Sequence, residues 1–108
     1  MVHERVLSIG HEHLSLAGHF PGHPVVPGVV LLSEVIETLR RGSTAPLSVT
    51  GFPVVKFSTP LRPGEAVTIR VEEEEAGRAA FLCTVQARPI ASGVIEFRSG
   101  ASTQAGPA

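Results

Sequence analysis

Residues 18–41 constrain this chain more than any other stretch, because a loop stiffened by three prolines runs directly into the only long helix that the sequence predicts. The prolines are Pro21, Pro24 and Pro27. Each fixes its own φ and biases the preceding residue toward extended backbone, so the loop is expected to hold one shape. Pro27 suits the first turn of a helix, where its missing N–H costs nothing. We predict a helix that begins at about Pro27, runs to Arg41 and stops at Gly42.

The predicted helix changes character along its length. Its first turn is apolar on every side, which predicts that this end is enclosed by other parts of the protein. Val35, Ile36 and Leu39 continue one apolar stripe that suits packing against a sheet. The polar side carries Ser33, Glu34, Glu37, Thr38, Arg40 and Arg41.

The second half of the chain has the alternation of β-strands with one buried face. Apolar residues at 67, 69 and 71 are followed, after a turn at residues 76–77, by apolar residues at 81, 83 and 85. Gln86 continues this second strand, and a last strand is predicted from about Ile90 to Phe97, after Arg88 and Pro89. Short turns between consecutive strands indicate an antiparallel meander.

Further strands are predicted earlier in the chain. Residues 47–57 form one strand with a break near Gly51 and Pro53, and residues 62–64 form the next turn. Short apolar segments at 5–9 and 14–17 precede the proline-rich loop. Together, the predicted helix and strands indicate an α+β domain in which five or six antiparallel strands wrap one central helix. We assign residues 1–98 to this single domain and residues 99–108 to a disordered tail, since the tail has nothing to bury.

Composition excludes several functional classes. The formal charge is −1 without a basic block, so a nucleic-acid-binding protein is not expected. The sequence lacks an apolar run of transmembrane length and a signal peptide, and we expect a cytoplasmic protein. The single cysteine, Cys83, lies at an inward strand position and is predicted to be a buried apolar residue. The acidic run at 72–75 is predicted to be a solvated rim.

Four of the five histidines, His11, His13, His19 and His23, fall within thirteen positions. They do not form a usual metal-ligand set with the neighbouring residues, so no metal is expected, and His3, His11 and His13 are interpreted as surface residues. His19 differs because it lies in the stiff loop just before the helix. A neutral imidazole there could remove a proton next to a carbonyl, while the amides of Gly28 or Val29 stabilise the resulting oxyanion. The alternative is a histidine that hydrogen-bonds only to the loop backbone.

The string from His19 to Gly28, HFPGHPVVPG, resembles the active-site motif of the β-hydroxyacyl-acyl carrier protein dehydratases, a family with the hot-dog fold. The later strings VVKF at 54–57 and PLRPGE at 60–65 also resemble this family. The resemblance implies a dimer, or an oligomer of dimers, with an acyl tunnel at the subunit interface. It implies that His19 is the base acting on C2 of a (3R)-3-hydroxyacyl thioester and that the Gly28 amide polarises the thioester carbonyl. Phe20 and Val29 would complete the substrate contacts.

The sequence departs from the family pattern at the acidic residue. The family carboxylate that protonates the leaving hydroxyl stands fourteen residues after the histidine, and here that position is Ser33. Glu34 follows it, but one step along a helix rotates a side chain by about 100°, so Glu34 does not simply replace the missing acid. A serine is a poor proton donor at neutral pH, although it could hold a water against the substrate hydroxyl.

Three interpretations follow from the resemblance and its departure. The chain is foremost a cofactor-free dehydratase of acyl carrier protein or CoA thioesters, acting in fatty acid or related lipid or polyene synthesis, with Glu34 recruited as acid or with weak activity through Ser33 and water. The second is a hot-dog thioesterase in which Glu34 activates water. The third is a non-catalytic acyl or carrier-protein binding subunit, whose related partner supplies the acid.

Overall fold

The computed structural model describes residues 2–10 and 25–100, which contain one helix and five strands. The elements in chain order are β1 (Val2–Ser8), α1 (Gly28–Arg41), β2 (Leu47–Phe57), β3 (Ala66–Glu75), β4 (Arg78–Val85) and β5 (Arg88–Ser99). All the strands pair antiparallel in one sheet with the order β1-β3-β4-β5-β2. The predicted α+β fold, helix and meander are confirmed, whereas the segment predicted at 14–17 lies outside the described residues.

The core lies between α1 and one face of the sheet. The predicted inward residues of β3 and β4 are buried, and Leu31, Val35 and Leu39 of α1 belong to the same core cluster. The predicted break in β2 is also confirmed, since its pairing with β5 shifts register on both sides of Gly51. The four glutamates that end β3 are exposed, as predicted for a solvated rim.

The turn between β4 and β5 differs from the prediction. β4 ends at Val85, and Gln86 and Ala87 form a tight turn with φ of 51° and 67° before β5 begins at Arg88. The alternating polarity continues through Gln86, and neither turn residue is one that favours positive φ, so no local pattern marked this turn. The tail was predicted to span residues 99–108, but β5 continues through Ser99; residues 101–108 lie outside the described residues.

Two expectations about the helix were wrong. Thr38, which was assigned to the polar side, is 2% exposed, because its hydroxyl is satisfied by hydrogen bonds and can therefore enter the interior. The first turn is not enclosed on every side: Leu31 is buried, but the Val29 side chain is 72% exposed. An apolar surface therefore remains at the start of α1.

Cys83 is fully buried in β4, and burial raises the pKa of its thiol to about 12. Because the thiolate is the reactive form, we expect no labelling of the folded protein by a thiol reagent at pH 8 and one equivalent after unfolding in urea. The buried neutral thiol should stabilise the fold below its unfolded pKa of about 8.5, and this contribution should fall as the pH rises above that value. Rapid labelling without denaturant would contradict the placement of Cys83.

Within residues 2–10 and 25–100, no helix has the length and apolar character needed to cross a membrane. The same residues contain no group of three or more side chains suited to holding a metal ion. Four of the five histidines lie outside this part of the chain, so the structure does not test the expectation that they bind no metal.

Candidate active site

Backbone N–H donors at the start of α1 lack a partner among the residues that the structure describes. The carbonyl of Pro27 accepts hydrogen bonds from the amides of Val30 and Leu31 at 3.0 and 3.3 Å. The amides of Gly28 and Val29 have no acceptor within the described residues, and the helix has neither a side-chain cap nor an acidic residue in its first turn. Because the helix dipole is positive at this end, the two free amides are suited to stabilising a negatively charged oxygen.

A mostly apolar cavity of about 290 Å³ is lined in part by Gly28. Two backbone hydrogen bonds hold its walls together: Val26 donates to Leu61 at 2.7 Å, and Ser58 donates to Ile90 at 2.8 Å. The lining residues are Val25, Val26, Gly28, Leu31, Phe57, Ser58, Thr59, Pro60, Leu61 and Ile90. An apolar cavity with amide donors at one end can accommodate a hydrocarbon chain and orient a polar group at its head.

Phe57, the last residue of β2, lies directly over Gly28. A Cβ atom added at Gly28 would be 2.7 Å from Phe57 Cζ, which is closer than carbon atoms pack, and 3.2 Å from two further ring atoms, which is tight. Glycine at position 28 therefore lets the ring and the helix approach each other. The Phe57 side chain is 53% exposed, so the ring also lines the opening of the cavity.

Ser33 lies on the outward side of α1, one turn after Val29. Its side chain is exposed, and its Oγ donates a hydrogen bond to the carbonyl of Val29 at 3.0 Å. The position therefore shares a stripe of the helix with the exposed Val29 side chain and points away from the core. A longer side chain at this position would reach toward any molecule placed against the first turn of α1.

Glu34 is held by Arg5 of β1. Arg5 Nη2 lies 2.7 Å from Glu34 Oε1 in an ion pair, and the two side chains are 17% and 28% exposed, respectively. The carboxylate thus faces the edge strand of its own chain, on a different side of the helix from Ser33.

The structure brings together some of the predicted site residues and separates others. Gly28, Val29 and Ser33 lie along the exposed start of α1, whereas Glu34 is turned toward β1. His19 and Phe20 lie outside the described residues. Neither Phe57 nor Arg5 was predicted from the sequence to belong to the site. Phe57 lies in a string that matched the family motif and could have been found there, but nothing local marked Arg5.

The chain matches the ApeI-like family, described as ApeI dehydratase, over residues 3–94. It is similar to two proteins named 3-hydroxyacyl-[acyl-carrier-protein] dehydratase FabZ. The protein from Caulobacter sp. (strain K31) is 35% identical over 75 residues, which cover 59% of this chain and 45% of the relative. The protein from Chlamydia trachomatis (serovar L2) is 31% identical over 96 residues, which cover 75% of this chain and 61% of the relative. The matches thus span about half of the length of these relatives.

Solved structures share the fold. The dehydratase heterocomplex ApeI:P from Xenorhabdus doucetiae superposes with a TM-score of 0.74 at 24% identity, covering 89% of this chain and 88% of that chain. The fluoroacetyl-CoA-specific thioesterase FlK superposes with a TM-score of 0.70 at 17% identity, covering 91% of this chain and 90% of that chain.

The family match extends over most of the chain and includes α1 and all of β1 to β4 except Val2. The five-stranded antiparallel sheet around one helix agrees with the hot-dog fold that the sequence motif implied. This protein therefore belongs to the ApeI-like dehydratase family of hot-dog proteins.

Proposed function

We propose that this protein dehydrates (3R)-3-hydroxyacyl thioesters of acyl carrier protein or CoA to trans-2-enoyl thioesters, in the cytoplasm and without a cofactor. The observation that carries the proposal is the start of α1, where the amides of Gly28 and Val29 have no acceptor within the described residues and Gly28 lines an apolar cavity. The cavity suits the acyl chain and the amides suit the thioester carbonyl, whose oxygen gains negative charge when C2 is deprotonated. Membership of a dehydratase family supports the same reaction.

In the proposed mechanism His19 removes a proton from C2. The electron pair of that C–H bond becomes the C2–C3 double bond as the C3–O bond breaks, and the oxygen takes up a proton and leaves as water. The amides of Gly28 and Val29 stabilise the negative charge that develops on the thioester oxygen. The residue at position 33 faces the leaving hydroxyl. Since serine is a weak acid, a water held by Ser33 delivers the proton and turnover is slow.

A dimer would complete this site. The exposed apolar side chains of Val29, Phe57 and Val54 lie at the start of α1 and on the edge strand β2. Covering them with a second copy would bury surface that is unfavourable in water and would close the open side of the cavity. The proposed dimer places the residue at position 33 of one chain against the His19 of the other.

A second candidate function is an acyl-binding subunit whose related partner supplies the acid. Two observations favour it: the Ser33 hydroxyl donates a hydrogen bond to the Val29 carbonyl, and the Glu34 carboxylate forms an ion pair with Arg5. The protein from Xenorhabdus doucetiae, to which the fold is similar, is described as a dehydratase heterocomplex. The thioesterase alternative, in which Glu34 activates water, requires this carboxylate to leave Arg5.

The experiment is to incubate the purified protein with 3-hydroxyacyl-CoA and, separately, with 3-hydroxyacyl carrier protein, recording enoyl absorbance and free thiol together. Enoyl formation without thiol release is expected. Thiol release without enoyl formation would favour the thioesterase. Binding of the thioester without either product would favour the acyl-binding subunit and reject dehydration by this chain alone.

Gly28→Ala tests the role of the close contact with Phe57. The new methyl group would collide with the ring, and the ring, which is half exposed, should move over the cavity opening. We expect kcat/KM to fall by about tenfold, equivalent to about 1.4 kcal/mol of transition-state stabilisation. Gly51→Ala is the matched control, because a Cβ there meets nothing within 4 Å. Equal activity of the two variants would contradict the assigned role of Gly28.

A further inference from the structure

The inward side chains of β1 run along α1 from its end toward its middle. His3 packs so closely against Gly42, the residue after the helix, that a Cβ atom there would overlap the imidazole ring. Two residues later Arg5 reaches the preceding turns of the helix. Among the described residues β1 lies at the edge of the sheet and pairs with β3, so these contacts tie the edge of the sheet directly to the helix.

Arg5 makes three hydrogen bonds to α1. Its Nη2 donates to Glu34 Oε1 at 2.7 Å and to the Glu34 carbonyl at 2.9 Å, and its Nε donates to Thr38 Oγ1 at 3.1 Å. The Thr38 hydroxyl in turn donates to the Glu34 carbonyl at 2.8 Å. The guanidinium therefore holds both backbone and side-chain atoms of two successive turns. The rigid fork of an arginine fixes direction better than a lysine ammonium does.

The three hydrogen bonds from Arg5 restrict the position of α1 more than a surface ion pair would. The Arg5 side chain is 17% exposed and Thr38 is buried, so solvent screens the bonds between them less than it screens ion pairs on the protein surface. By comparison, Arg70 lies 3.6 Å from Glu4, and both side chains of that pair are about half exposed. Arg5 and Arg70 therefore provide a partly buried arginine bonded to the helix and a matched exposed arginine on the neighbouring strand.

Fixing Glu34 also fixes the direction of Ser33, because adjacent helix residues point about 100° apart. We propose that Arg5 is a positioning residue that sets the rotation of α1, so that the residue at position 33 faces the substrate and the Glu34 carboxylate is withheld from the reaction. This inference rests on the proposed dehydratase function. It assigns Glu34 to the support of the helix and leaves position 33 as the place from which a proton reaches the leaving hydroxyl.

The test compares the dehydration kinetics of Arg5→Met, Arg5→Lys, Glu34→Gln and the control Arg70→Met. Arg5→Met is expected to lower kcat by about tenfold with KM little changed, since Arg5 does not line the cavity. Arg5→Lys should recover part of this loss by retaining the pair with Glu34. Glu34→Gln should keep kcat within about twofold, because an amide oxygen still accepts the bond from Arg5. Arg70→Met should leave kcat unchanged.

Circular dichroism at the assay temperature verifies that each variant is folded. A kcat unaffected by Arg5→Met in a protein with a lowered Tm would show a merely structural contact and overturn the inference. A loss of a hundredfold or more in Glu34→Gln, with loss of one limb of the pH profile, would make Glu34 the proton donor and also overturn it. If the wild-type protein does not dehydrate the thioester, the proposed function is rejected, and the positioning role of Arg5 is rejected with it.

Discussion

Ser33→Asp is expected to dehydrate 3-hydroxyacyl thioesters about 10² to 10⁴ times faster than the wild-type protein, the range that a positioned general acid contributes. Ser33 is exposed on the outward side of α1, one turn after Val29, so a carboxyl group there meets no core residue. It would replace a water held by a hydroxyl with a group that donates a proton directly. The measurement is the initial rate of enoyl formation at saturating substrate.

Ser33→Asn is the matched control for this gain. Asparagine has the shape of aspartate but lacks an ionisable proton, so its rate should stay near or below that of the wild-type protein. Equal rates in the Asp and Asn variants would show that position 33 does not face the leaving hydroxyl. The proposed dehydration would then need its acid from Glu34 or from a related partner chain.

His19→Ala is expected to lower kcat by about 10² to 10⁴ with a small change in KM, because the variant loses the base but keeps the cavity and the amides of α1. The base should act as neutral imidazole, so wild-type kcat/KM should fall as the pH drops below the histidine pKa. The same limb of the pH profile should be absent in His19→Ala.

His13→Ala is the control for the loss of a histidine from the same part of the sequence. We expect it to retain wild-type kcat and the full pH profile, since His13 was interpreted as a surface residue. An active His19→Ala protein would remove the assigned base and with it the proposed mechanism.

Much of the fold could be predicted because its signals are local. Alternation in β3 and β4 records which side of each strand meets the core, and Pro27 together with the apolar run after it marks the start of the helix. Gly64 and Gly77 mark turns at positive φ, which glycine adopts without strain. The turn at Gln86 and Ala87 could not be predicted from a glycine, because two residues other than glycine adopt positive φ there. The antiparallel pairing of β4 with β5 imposes this backbone conformation.

The predictable part of the candidate site is the part encoded in one continuous stretch. Gly28 and Val29 follow the proline-rich loop directly, and the loop motif indicated their role. The environment of Glu34 depends on Arg5, which is 29 residues away in sequence and on a different element. Thr38 was misplaced for a similar reason, since its hydroxyl accepts a hydrogen bond from Arg5 on a different element. Contacts of this kind arise from tertiary packing and have no local pattern.

The most direct test of the proposed reaction is the reverse direction in deuterium oxide. Hydration of a trans-2-enoyl thioester should place one deuterium on C2 and a solvent-derived hydroxyl on C3, and both should be detectable by mass spectrometry and NMR. We expect this product with the thioester intact, and we expect His19→Ala to slow its formation by at least a hundredfold. Recovery of unchanged enoyl thioester, or of free acid and thiol, would contradict it.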